Sequence, residues 1–304
     1  MRRDIEFKSC GETCRGHLYL PDDVQGPVPG VIVAMGGGYT LDMPMITTHA
    51  TAFQRAGFAS IVFDYRHNNT SDGHPRNHCD PWKQVEDCRN AISFAETLPE
   101  LDPGRLGIWG ISMGGGYSLA VAAMDPRVRC AISVVGLLDG YENLRRIHGI
   151  AWFNKMLEAI MEDRRTRFAN EEKRAHIPLS TPKPFQELAF FPVSDAKDYF
   201  EEQRGHRHEW TMESMELIIN YSVLPLLPRI LHTPVSMIIV EGDDHTPWEM
   251  QVEAFNNIPS TRKELTVVPQ GSSHMRIYTE PEYTKIVVNA ATGWLNKYLG
   301  EQNK

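Results

Sequence analysis

The pentapeptide Gly110-Ile111-Ser112-Met113-Gly114 constrains this chain more than any other segment. It follows a short apolar run, Arg105-Leu-Gly-Ile-Trp109, and opens an alanine-rich stretch, Gly115-Gly-Tyr-Ser-Leu-Ala-Val-Ala-Ala-Met124. Strand, tight turn and helix in that order are the setting in which G-x-S-x-G presents a nucleophilic serine. The turn leaves no room for a Cβ at either flank, so glycine is required there. Ser112 is forced into a strained conformation that holds its Oγ out at the top of a sheet. The same turn sets the hydroxyl at a helix N-terminus, where free N–H groups and the helix dipole favour developing negative charge.

The rest of the chain supplies the sheet that such a turn needs. Residues 4–20 read as a hairpin, with Gly11-Glu-Thr as the turn and Arg15–Leu20 as its second strand. Val31–Ala34 is an apolar strand of the buried parallel type, ended by Met35-Gly-Gly-Gly38. A helix over about Met45–Arg55, a strand at Ala59–Asp64 and a helix over about Pro81–Leu98 follow. Asp80 is the N-cap of that last helix and Pro81 its first residue. Asp102-Pro-Gly104 turns the chain into the strand before Ser112, and Val128–Val135 is the next buried strand. Val235–Val240, a helix from about Pro247, Glu264–Val268 and a terminal helix over about Pro281–Leu299 complete the alternation. Alternating strands and helices predict an α/β fold, a mostly parallel sheet covered on both faces.

Residues 139–230 break the rhythm. They hold no strand-like apolar run, but helical patterns at about Tyr141–Asn170, Ser194–Glu202 and Met212–Ile219, divided by Pro178, Pro182, Pro184 and Pro192. The expectation is a core of residues 1–138 and 231–304 with a helical cap, 139–230, over the strand C-termini. The aromatics Trp152, Phe153, Phe185, Phe190, Phe191, Tyr199, Phe200 and Trp210 hold that cap to the core and in part line a pocket.

With 304 residues the chain can bury one large core and a smaller lid. Its formal charge of −8 argues against nucleic acid or an anionic membrane as the main partner. No apolar run is long enough to span a bilayer, and the first residues lack the apolar stretch of a signal peptide. Five scattered cysteines, Cys10, Cys14, Cys79, Cys88 and Cys130, fit no disulfide framework and point to a reducing cytoplasm. Cys10 and Cys14 read as strand residues, and no cysteine–histidine set has metal-ligand spacing.

A serine hydroxyl needs an adjacent base, which a third group orients. His274 is the best placed histidine, in the loop Pro269-Gln-Gly-Ser-Ser-His-Met275 after the last strand, at the same sheet edge as Ser112. The acid should lie just past the preceding strand, in Glu241-Gly-Asp-Asp-His-Thr-Pro247. Position favours Asp243; Asp244, beside His245, is the alternative, and the other aspartate is then a helix N-cap or a loop hydrogen-bonder. An oxyanion hole needs two backbone donors. The Met113 amide is one, and the Gly37 amide in Met35-Gly-Gly-Gly-Tyr39 is the expected second.

Several segments carry a family resemblance: Phe63-Asp-Tyr-Arg66 with Ser71-Asp-Gly-His-Pro-Arg76, Asp80-Pro-Trp-Lys-Gln-Val-Glu-Asp87, Gly107-Ile-Trp-Gly-Ile-Ser-Met-Gly-Gly115, Ser194-Asp-Ala-Lys-Asp-Tyr-Phe200 and Gly271–Tyr283. Through them the chain resembles the α/β-hydrolase superfamily, and within it the dienelactone-hydrolase and peptidase S15-related serine hydrolases. It is most similar there to the group of fungal polyketide transferases and thiohydrolases. The resemblance implies a Ser112–Asp243–His274 triad that uses no metal and no organic cofactor. Two departures stand out: His67-Asn-Asn-Thr70 replaces a glycine-rich loop, and Val240-Glu241 stands where a glycine is common.

The expected activity is cleavage of a small-molecule ester or thioester, free or carrier-bound, through an acyl-serine. Acyl transfer by the same triad is the alternative. A lyase or haloperoxidase use of it, or a non-catalytic binding protein on the same scaffold, follows behind. The clusters Arg145-Arg146 and Arg164-Arg165-x-Arg167 sit among acidic residues and read as a solvated helix face. A homodimer is compatible with an exposed apolar cap edge, although no residue pattern demands one.

Overall fold

The computed structural model describes residues 1–22, 26–192 and 209–300. The hairpin is β1 (Arg2–Ser9) and β2 (Glu12–Tyr19), and its turn is Cys10-Gly11, both at positive φ. Cys10 is therefore a turn residue, a correction to its reading as a strand residue, and Glu12 already pairs with Ser9. Then come β3 (Val28–Ala34), α1 (Pro44–Arg55), β4 (Ala59–Phe63), α2 (Pro81–Ala95), β5 (Leu101–Ile111), α3 (Met113–Met124) and β6 (Val128–Val134). After an inserted segment follow β9 (Val235–Val240), α6 (Trp248–Asn257), β10 (Lys263–Val268), the single-turn α7 (Arg276–Thr279) and α8 (Pro281–Leu299). Asp80 caps α2, its carboxylate accepting from the Trp82 and Lys83 amides.

Eight strands form one sheet in the order β1-β2-β4-β3-β5-β6-β9-β10. The β1–β2 and β2–β4 pairs are antiparallel and all later pairs are parallel. Every residue of β3, β4 and β9 is buried, as continuous apolar runs predict for strands covered on both sides. Side chains two apart on β5 share a face. On one face Trp109 packs against His49 and meets Phe53 of α1 edge-to-face, and Gly107 leaves room for Leu299 of α8. α2 and α3 pack together on the other face.

Between β6 and β9 lie α4 (Gly140–Ala169), β7 (His176–Pro178), β8 (Glu209–Thr211) and α5 (Met212–Ile219). α4 is broken at Gly149, whose positive φ only glycine adopts without strain. The strands β7 and β8 pair antiparallel, contrary to the expectation of an all-helical insertion. At three residues each they are too short to leave an alternating pattern in the sequence. The helix expected at Ser194–Glu202, with Tyr199 and Phe200, lies outside the described residues. The arginines of α4 are engaged within the molecule: Arg145 with Glu142, Arg165 with Glu162, and Arg167 with Asp163, Glu213 and Glu216.

One ion pair ties the antiparallel edge to the parallel part of the sheet. Arg66, just after β4, donates through Nε to Asp87 Oδ1 of α2 at 2.7 Å and through Nη2 to Ser9 Oγ of β1 at 2.9 Å. Burial pushes the Asp87 carboxyl up to about 6 against the pull of Arg66. Truncating the cation leaves that buried carboxylate without its counter-charge. Arg66→Met should therefore cost about 3–5 kcal/mol in urea denaturation at neutral pH. The double variant Arg66→Met/Asp87→Leu should recover most of the loss.

Candidate active site

Ser112 sits between β5 and α3 with φ 56° and ψ −122°, a conformation that costs a non-glycine residue energy. Its surroundings hold it there. The Ser112 amide donates to Val134 O at 2.9 Å, and its carbonyl accepts from Leu137 N at 3.0 Å. Both flanking glycines are required by contact: a Cβ on Gly110 would lie 1.9 Å from Gly114 O, and one on Gly114 would lie 1.9 Å from Ala34 O.

His274 enters from the loop between β10 and α7. Its Nε2 lies 3.3 Å from Ser112 Oγ and its Nδ1 lies 2.9 Å from Asp243 Oδ2. The chain leaves β9 through Gly242, whose φ of 78° turns Asp243 inward. Asp243 Oδ1 accepts from the His245 amide at 2.8 Å and the Thr246 amide at 3.0 Å, and Thr246 Oγ1 lies 2.9 Å from Oδ2. Burial opposes ionisation of this carboxyl. The His274 imidazole, its hydrogen bond and the Thr246 amide outweigh that penalty and hold Asp243 below the usual carboxylate range.

Asp244 does not reach His274. It is exposed, and its Oδ1 lies 2.8 Å from His245 Nδ1. Of the two aspartates left open by the sequence, Asp243 is the one hydrogen-bonded to His274, and Asp244 is a loop hydrogen-bonder to His245. Donor atoms of Asp243, Asp244 and His245 come within 4.8 Å of one another, as a metal site's would. Their hydrogen bonds to His274, to Thr246 and to each other account for that grouping.

Gly37 lies beside the start of α3. A Cβ there would meet Met113 Sδ at 2.7 Å and Trp210 Cη2 at 2.9 Å. Met113 is the first residue of α3, so its N–H has no intrahelical acceptor. The structure thus brings together Ser112, Asp243, His274, Gly37 and Met113. In the loop after Arg66 the residues His67 and Asn69 carry positive φ values (71° and 44°) where no glycine stands. Asn69 Nδ2 donates to Tyr39 O at 2.9 Å and so braces the Gly36–Tyr39 loop.

Three neighbours escaped the sequence reading. Tyr278 OH lies 2.7 Å from His274 Nε2, its ring edge-on to the imidazole. His245 stacks on His274 with centroids 4.8 Å apart and planes at 13°. Thr246 is the third. The signals were present as spacing: Tyr278 follows His274 by four residues, one helical turn, and Thr246 follows Asp243 by three. From the inserted segment Phe191 packs against His245, and Phe190 against Trp210. Phe185, by contrast, is exposed.

An imidazole bonded through Nδ1 to a buried carboxylate presents Nε2 as a base to the serine hydroxyl. Residues 15–218 match the family model described as X-Pro dipeptidyl-peptidase (S15 family). The chain belongs to the S15 family. That match includes Ser112 and ends before Asp243 and His274. Among relatives, this S15 member is 35% identical to the quorum-quenching protein AidA of Acinetobacter baumannii, over 59% of this chain and 58% of that protein. The chain thus spans less than two thirds of that relative's length. It is 29% identical to the polyketide transferase ATR5 of Stachybotrys chlorohalonatus, over 90% of each chain. It is 26% identical to the thiohydrolase aneE of Aspergillus aculeatus, over 86% of this chain and 83% of the other.

Of solved structures, DcsB in complex with its substrate analogue superposes with a TM-score of 0.85 at 24% identity, covering 99% of this chain and 100% of that one. The alpha/beta hydrolase GrgF from Penicillium sp. sh18 superposes with a TM-score of 0.83 at 24% identity, with the same coverage. The fold is that of the α/β-hydrolases. Because Gly114 meets the backbone of β3, Gly114→Ala should cost about 1–3 kcal/mol in chemical denaturation, against a small effect for Gly293→Ala, where a Cβ meets nothing.

Proposed function

We propose that this protein cleaves carboxylic esters or thioesters through an acyl-serine intermediate. The observation that carries the reading is the position of His274, with one ring nitrogen on Asp243 and the other facing Ser112. Asp243, held ionised at neutral pH, accepts from Nδ1–H and leaves Nε2 with its lone pair. Ser112 Oγ attacks the acyl carbonyl carbon while His274 takes its proton. The imidazolium then gives that proton to the departing alcohol or thiol, and Asp243 stabilises the cation meanwhile. The amides of Met113 and Gly37 hold the oxyanion. Water, deprotonated by His274, releases the acid and restores Ser112. Each step uses side chains and backbone alone and calls for no metal or organic cofactor.

The described part of the insertion, residues 139–192 and 209–230, acts as a cap over this site, a reading supported by Trp210 against Gly37 and Phe191 against His245. The substrate is a small acyl ester or thioester, carrier-bound or free. The second reading is transfer of the acyl group to an alcohol or amine, and the relatives named polyketide transferases favour it. Four of the five cysteines are buried thiols and all five are free, which fits a reducing, cytoplasmic setting.

The test is turnover of p-nitrophenyl butyrate and of a butyryl N-acetylcysteamine thioester. Ser112→Ala should abolish both. Asp243→Asn should lower kcat by about 10³–10⁴-fold, because the amide favours the wrong imidazole tautomer. Asp244→Asn should stay close to wild type. A large loss in Asp244→Asn with Asp243→Asn intact would reassign the acid, and full turnover by Ser112→Ala would remove the acyl-serine.

A further inference from the structure

We propose that the Tyr278 hydroxyl occupies the place from which an acyl-serine would be attacked, and so biases the acyl group away from water and towards a bound acceptor. This rests on the acyl-serine reading and goes a step beyond it.

With Nδ1–H donated to Asp243, the imidazole has one acceptor left, the Nε2 lone pair. Two hydroxyls face it: Ser112 Oγ at 3.3 Å and Tyr278 OH at 2.7 Å. The phenol makes the shorter contact, and both side chains are buried. Its position is fixed by the backbone of α7, where Tyr278 N donates to Met275 O at 3.0 Å, and by an edge-on contact with Tyr39.

Once Ser112 is acylated, its Oγ no longer carries a proton. The next nucleophile must bring its own O–H within about 2.6–3.2 Å of Nε2 to be deprotonated. Tyr278 OH already fills such a position. In deacylation the nucleophile's oxygen forms a bond to the acyl carbon and passes its proton to Nε2. The bond from that carbon to Ser112 Oγ then breaks, and Nε2 returns the proton to Ser112. Water as nucleophile yields an acid, and an alcohol yields an ester.

Either nucleophile must displace the phenol from Nε2 and forfeit that hydrogen bond. An acceptor alcohol offsets the loss through contacts made by the rest of its structure; a water molecule has no such contacts. The phenol therefore penalises hydrolysis more than transfer. Removing the hydroxyl leaves a polar gap beside Nε2 that suits a water molecule.

The experiment measures partition of one acyl-enzyme. Wild type and Tyr278→Phe are given p-nitrophenyl butyrate, or the butyryl N-acetylcysteamine thioester, with increasing 1-propanol. Propyl butyrate and butyrate are quantified as products. Their ratio reports the fate of the acyl-enzyme and is independent of how much enzyme is active, so a merely structural defect does not move it. The expected result is a fall in the transfer-to-hydrolysis ratio of about fivefold, the equivalent of one ordinary hydrogen bond. Tyr278→Met, which keeps bulk without a hydroxyl, should show the same direction and serves if Tyr278→Phe folds poorly. A ratio unchanged or raised in these variants, with Ser112 still labelled by a fluorophosphonate, overturns the role of Tyr278 alone. Wild-type protein that fails to label at Ser112 overturns the acyl-serine reading itself.

Discussion

The contact of Gly114 with the carbonyl oxygens of Ala34 and Met35 is the constraint on which the rest of this architecture depends. It presses the first turn of α3 against the end of β3, closer than any side chain allows. That approach brings three things to one point: the strained Ser112, the first amide of α3, which has no intrahelical acceptor, and the glycine loop that follows β3. Parallel pairing of β3, β5, β6, β9 and β10 then brings the loops after β9 and β10 to the same edge. Asp243 and His274 arrive there by topology, although each is more than a hundred residues from Ser112 in sequence.

Burial decides how those three side chains interact. Asp243 and His274 are almost inaccessible to solvent, so their attraction is weakly screened and strongly directional. A buried carboxylate alone would be costly; here two backbone amides, a threonine hydroxyl and an imidazole surround it. The same loop supplies His245, stacked on the His274 ring. The imidazole is thus held between a carboxylate, a parallel ring and the edge of Tyr278, with little freedom to leave the serine.

How far the sequence disclosed this varies with the physics of each part. The strands β3, β4 and β9 and the turn at Ser112 were legible because continuous apolar runs and paired glycines have few other uses. The terminal helix matches its expected limits because Pro281 and Gly300 bracket it. Counting along the segment favours Asp243 and leaves Asp244 as the alternative, because which carboxylate faces inward depends on the backbone turn at Gly242. The pairing of β7 with β8 was hidden by its brevity, and the break at Gly149 by the helical pattern on either side. His67 and Asn69 adopt conformations usually left to glycine, so the backbone turns there although the sequence offers no glycine at either position. The spacing of Tyr278 from His274 went unread because a single-turn helix is too short to show a pattern, and nothing marks His245 as a ring neighbour of the base until the chain is folded.

If Ser112 carries the acyl group from donor to acceptor, that group must reside on its Oγ for part of each turnover. Acid-quenched turnover of the butyryl thioester followed by peptide mass spectrometry tests it most directly. The expected result is a peptide containing Ser112 heavier by one butyryl group, absent in Ser112→Ala and in unreacted protein. Turnover of the thioester with no acyl group on Ser112 at any quench time, or with the acyl group on another residue, would contradict it.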